Sequence, residues 1–198
     1  MTAPRMLAAG IALLAALTVA GCGGDDGGDG GKGAGKASTP SPSAAAVKLA
    51  TYKGAGFTVG YPAEWGKVSG HTVVPKAAFE VGVKSRDGRS MEASFDVLVN
   101  EDLPFPLARI SSDFVAFSRP AKNFRLIGRT KVELDGAEGW EVRKSYRSPE
   151  GKELKQYDLF TKTPQGKVID VRIIMLPKLY DSNQAMLDSV RSSFRFAP

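Results

Sequence analysis

The 198-residue chain is 42% apolar and 24% charged, carries a formal net charge of +6, and has one Cys and one His. That length suits one folded domain with extensions rather than two full cores, and the apolar fraction excludes wholesale disorder. A single Cys excludes an internal disulfide and any Cys-rich zinc site.

The chain opens with Met-Thr-Ala-Pro-Arg5, followed by an uninterrupted apolar run over residues 6–20 and then Gly21-Cys22. A charged start, a short apolar stretch and small residues before a cut site describe a secretory signal segment. As a helix, the run would reach about 22 Å, short of the roughly 30 Å hydrocarbon core of a bilayer. Residues 1–21 are therefore read as a leader, with Val19, Ala20 and Gly21 as the peptidase recognition residues.

Val19-Ala20-Gly21-Cys22 resembles the lipobox of bacterial lipoproteins. The resemblance implies that the Cys22 thiol receives a diacylglycerol and that cleavage then leaves Cys22 as the first residue. Two acyl chains hold a protein at a membrane far better than one, at about 0.8 kcal/mol per buried CH₂. The expected location is the extracytoplasmic face of the cell membrane, with the lipid on Cys22 as the only covalent group and no other cofactor.

Residues 22–47 form a tether. Eight of positions 23–47 are glycine and only Val47 is a large apolar residue, so this stretch has too little to bury to order itself. Residues 30–37 (GGKGAGKA) approach the phosphate-binding loop pattern, but Ala37 stands where a magnesium-holding hydroxyl is required and no strand precedes it. Residues 25–30 (DDGGDG) lack the ligand spacing of a calcium loop, with Lys36 where the bidentate Glu belongs.

Residues 48–198 read as the folded domain. Phe57, Val59 and Tyr61 alternate up to Pro62, as a strand ending in a turn does. Phe79, Val81 and Val83 alternate, turn at Asp87-Gly88, and resume at Met91, Ala93, Phe95, Val97 and Val99, which predicts a hairpin. Leu107, Ile110, Phe114 and Phe117 fall at helical spacing before Pro120. Four further strands are expected. The first ends at Asp135-Gly136, the second carries Trp140, Val142 and Tyr146, the third spans 153–162, and the fourth sets Ile169, Val171, Ile173 and Met175 against Asp170 and Arg172. Met186, Leu187, Val190 and Phe194 mark a closing amphipathic helix, with Asp181 and Gln184 as its capping box. Strands joined by short turns, with two main helices, predict an α+β domain built on an antiparallel sheet of about six to seven strands.

The segment Gly56-Phe57-Thr58-Val59-Gly60-Tyr61-Pro62-Ala63-Glu64-Trp65 resembles the opening of PsbP-like domains, and residues 185–194 (AMLDSVRSSF) resemble their closing helix. With the lipobox and tether, the whole looks like an LpqN-type actinobacterial lipoprotein. That resemblance implies a central antiparallel sheet with helices on its faces, a PsbP-like sandwich, and brings no catalytic residues. Phe57, Tyr61 and Trp65 then read as packing residues.

The chemistry-bearing residues are sparse. His71 is the only imidazole and has no partner visible in the sequence, and 66–70 (GKVSG) misplaces its serine for a nucleophile elbow. No metal site is expected, and no enzyme. The domain has 24 Lys and Arg against 18 Asp and Glu with the signs interspersed. Arg125, Arg129, Lys131 and Glu133, then Glu141, Arg143 and Arg147, read as solvated strand faces. Arg125, Arg129 and Arg143 also offer a shallow basic surface for an anionic partner. Leu103 and Phe105, flanked by prolines, either pack under the sheet edge or form the lip of an apolar groove. The expected function is a non-catalytic binding or adaptor domain for an envelope protein or component, acting as a monomer. The alternatives are a carrier of a small apolar or lipidic ligand, and a hydrolase of unrecognised type. Nucleic acid is not an expected partner, since no recognition motif is present.

Overall fold

The computed structural model describes residues 47–54, 56–68, 77–100 and 103–197. Cys22, the leader, most of the tether, and His71 lie outside the described residues. Ten strands and three helices follow in chain order: β1 (Leu49–Gly54), β2 (Phe57–Pro62), β3 (Gly66–Lys67), β4 (Ala77–Lys84), β5 (Met91–Asn100), α1 (Leu107–Ser118), β6 (Arg125–Leu134), β7 (Ala137–Arg147), β8 (Glu153–Lys162), β9 (Val168–Met175), α2 (Pro177–Ser182), α3 (Gln184–Ser192) and β10 (Arg195–Phe196).

Seven strands form an antiparallel sheet in the order β3-β4-β5-β9-β8-β7-β6, and three form a second sheet, β1-β2-β10. The expected α+β class and antiparallel sheet are both present. The β6–β7 hairpin shows why its turn was legible. Asp135 and Gly136 both take positive φ (50° and 80°), the conformation a two-residue hairpin loop requires and Asp-Gly tolerates.

The pleat divides the large sheet into two faces. Phe95, Val97, Leu159, Val171 and Ile173 point to one face, where they join Phe57 and Val59 of β2 and Met186, Leu187, Val190 and Phe194 in the main core. Phe57 stacks flat on Phe194 with ring centroids 5.4 Å apart, while Tyr61 tilts against Phe79 at 4.8 Å. Trp65 packs at the margin of the same core. The opposite face carries α1. Leu107 and Val115 sit on Val142, Phe160 and Val168 in a second, smaller core.

Three details depart from the sequence reading. The closing helix is two short helices, and α3 ends at Ser192, leaving Phe194 beyond it. The capping box is absent: Asn183 is the N-cap residue and makes no side-chain cap bond, while Asp181 lies in α2 and accepts from Lys155 Nζ at 2.6 Å. Glu141 is buried rather than solvated, accepting hydrogen bonds from Tyr157 Oη (3.1 Å) and Arg143 Nε (2.6 Å).

Candidate functional site

The α1-facing side of the sheet holds a charged row running across the strands. Glu80 lies opposite Asp96, Asp96 opposite Arg172, and Arg172 opposite Asp158. Asp170 precedes Arg172 by two residues and so shares the face. Asp96, Asp158, Asp170 and Arg172 are all buried. Arg172 bridges the two carboxylates beside it, its Nε donating to Asp158 Oδ1 (3.1 Å) and its Nη2 to Asp170 Oδ2 (2.8 Å). Gln156 Nε2 also donates to Asp158 Oδ1, at 2.7 Å.

Carboxylates outnumber cations here, and burial makes each negative charge costly. One oxygen each of Glu80, Asp96, Asp158 and Asp170 has no hydrogen-bond partner among the described residues. Desolvation, with the Glu80 charge adding to it, raises the Asp96 pKa to about 7. Asp170 is also raised to about 7, by burial outweighing Arg172, and Asp158 is shifted upward for the same reason. Among the described residues, no three ligating side chains come together to hold a metal ion.

Beside this row, a cavity of about 500 Å³ opens between the end of α1 and the β7–β8 hairpin. Phe114, Phe117, Ala121, Pro149 and Ile174 give it apolar walls. Lys144, Gln156 and Arg172 also line it, while the three buried aspartates do not. Lys144 is 3% exposed, with its ammonium 3.7 Å from the centre of the Phe114 ring. Burial lowers its pKa to about 8, against the opposing pull of Asp158.

Lys144 Nζ donates to Ser118 Oγ at 2.7 Å, which places a serine and a lysine together in the cavity. The arrangement differs from an activated nucleophile. Ser118 Oγ donates its own proton to the Phe114 carbonyl (2.8 Å), one helical turn earlier, instead of to the amine. Ser118 also ends a helix, where the backbone presents carbonyls and disfavours a developing oxyanion.

The residues singled out from the sequence do not form one surface. Leu103 packs into the smaller core, and Phe105 lies on the surface beneath the Arg109 guanidinium, 4.2 Å from its ring centre. Lys162 Nζ holds both segments by their carbonyls, at 3.0 and 2.9 Å. Neither residue lines the cavity. Arg129 folds inward over Trp140 (3.9 Å), donating from Nε to Ser111 Oγ (3.0 Å) and from Nη2 to the Ala108 carbonyl. Arg143 points to the opposite face, toward Glu141 and Gln184. A register shift between Leu126 and Gly128 breaks the alternation of β6, so Arg125 and Arg129 project from different faces.

No protein-family model matches the chain, and a search of curated proteins finds no match. Solved structures do match. Cyanobacterial PsbP (CyanoP) from Synechocystis superposes with a TM-score of 0.55 at 19% identity, covering 80% of this chain and 98% of that one. The fold is PsbP-like. LpqN of Mycobacterium tuberculosis, described as involved in cell envelope biogenesis, has a TM-score of 0.54 at 12% identity, covering 76% of this chain and 91% of its own. A Pseudomonas aeruginosa protein of unknown function has a TM-score of 0.53 at 15% identity, covering 76% and 98%. At these identities the PsbP-like likeness concerns architecture, and function has to be argued from the site.

Proposed function

We propose that this chain is a lipid-anchored extracytoplasmic protein whose PsbP-like domain binds, without catalysis, an apolar or lipidic ligand in the cavity between α1 and the β7–β8 hairpin. The cavity carries the reading. At about 500 Å³ it lies within the 300–1,000 Å³ usual for small-molecule sites, with mostly apolar walls and a few polar groups. This favours the carrier reading, with the ligand here rather than at a groove lipped by Leu103 and Phe105, over an adaptor that presents its sheet surface. The binding role, as against a hydrolase, is supported by the Ser118 proton being committed to a backbone carbonyl. Attachment is assigned to Cys22 on the resemblance of Val19-Ala20-Gly21-Cys22 to a lipobox.

Two experiments test this. The full chain should enhance the fluorescence of N-phenyl-1-naphthylamine, and Ala121→Trp, which places an indole in the cavity wall, should weaken that binding at least about tenfold. Probe binding that is absent, or unchanged in the variant, removes the cavity reading. In cells, Cys22→Ser should abolish incorporation of labelled palmitate and shift the protein out of the membrane fraction. A variant that stays labelled and membrane-bound removes the anchor.

A further inference from the structure

The corner where α1 ends and β6 begins combines two features. The first is charge. Between Asp113 and Glu133 the chain has five Lys and Arg and no Asp or Glu. Two of the five are engaged, Arg129 over Trp140 and Lys131 on Glu138 at 3.1 Å. The other three, Arg119, Lys122 and Arg125, are exposed and form no ion pair among the described residues. Glu153, at the start of β8, is held by Arg147 Nη2 (2.7 Å) and Asn123 Nδ2 (3.0 Å), and Arg125 adds to the positive charge around it.

The second feature is apolar exposure. Among the described residues four large hydrophobic side chains stand exposed, and three of them lie in this stretch: Phe117 at 85%, Leu126 at 45% and Ile127 at 53%. Phe117 projects from the last turn of α1, and the β6 irregularity carries Leu126 and Ile127. An exposed aromatic costs solubility unless something covers it. Apolar knobs ringed by unpaired cations match a surface that is anionic outside and hydrocarbon within.

We infer that this corner, centred on Phe117, Arg119 and Lys122, docks the domain onto an anionic lipid bilayer. Phe117, Leu126 and Ile127 enter the boundary between headgroups and acyl chains. Arg119 and Lys122 sit at the level of the phosphates. The inference goes beyond cavity binding and does not depend on what fills the cavity. It has a geometric consequence all the same: Phe117 and Lys122 also line the cavity, so docking turns the opening toward the membrane.

The test reads insertion at the site itself, so that the anchor does not obscure it. Phe117→Trp, at a position 85% exposed, is introduced into the full chain and reconstituted with vesicles containing brominated acyl chains. Emission above the background of Trp65 and Trp140 should be quenched on phosphatidylglycerol vesicles and little affected on phosphatidylcholine. Adding Arg119→Gln and Lys122→Gln should weaken the docked state about thirty-fold, from roughly a factor of five for each basic residue near an anionic surface. High salt should act in the same direction. Absence of quenching on phosphatidylglycerol, equal quenching on phosphatidylcholine, or a stronger response to soluble polyglutamate than to vesicles would overturn the inference.

Discussion

Arg172→Met should lower the free energy of unfolding by about 3–5 kcal/mol, the range found when one partner of a buried ion pair is removed. Among the described residues Arg172 is the only cation bonded directly to Asp158 and Asp170, and both carboxylates are buried. The methionine fills much of the guanidinium's volume, so the loss comes from stranding two acids rather than from a void. Against a typical total of 5–15 kcal/mol, that leaves a marginal domain. Restoring neutrality with Asp158→Asn and Asp170→Asn in the same chain should recover much of the stability. Urea denaturation followed by tryptophan fluorescence measures the wild type and both variants. A loss below about 1 kcal/mol for Arg172→Met would show the row to be hydrated.

Stability should fall as the pH rises from about 4 to 7. Asp96 and Asp170 titrate near 7 in the folded chain but near 3.8 when unfolded, so across that interval the folded state holds more protons. More protons bound in the native state means a negative slope of stability with pH, approaching about 1.4 kcal/mol per pH unit for each fully titrating acid. Lys144 acts in the other direction at higher pH. Its folded value of about 8 lies below 10.5, so the native state gives up that proton first and stability recovers above pH 8. The groups facing one another are Glu80, Asp96, Asp158, Asp170 and Arg172, with Lys144 and Tyr146 on β7, and they leave a minimum near pH 7–8. Asp96→Asn should flatten part of the acid slope and raise the melting temperature at pH 8 while changing little at pH 4. Thermal melts over pH 4–10 decide the matter: a flat curve from 4 to 7 would show that these acids ionise normally, and a climbing one that folding lowers their pKa values.

Much of the sheet was legible because its long strands alternate and their turns are Asp-Gly or Pro-Gly-type. What periodicity reports is which residues share a face, not what covers that face. Asp170 and Arg172 alternate correctly against Ile169 and Ile173, yet they are buried because α1 lies over them. A signal for this existed: Phe160, Val168 and Ile174 occupy the same nominally polar side of β8 and β9, and three large apolar residues on a solvated face are improbable. The short elements gave no comparable signal. β10 is two residues long and exists only through pairing with Thr58 and Phe57, and α2 is six residues started by Pro177. The cavity was illegible for a different reason. Its walls come from α1, the turn after it, and β7 to β9, so no local pattern marks them.

The pairing of β10 with β2 also sets a schedule for assembly. Phe57 and Val59 are made early, but their cover is Phe194 and the helix before it. Likewise β5 finds its partner β9 only some seventy residues later, across the α1 segment and three intervening strands. A growing chain therefore carries β2 and β5 incompletely covered until β9 and α3 have been made. The pairings that lock the fold thus join segments far apart in sequence, which form more slowly than local contacts.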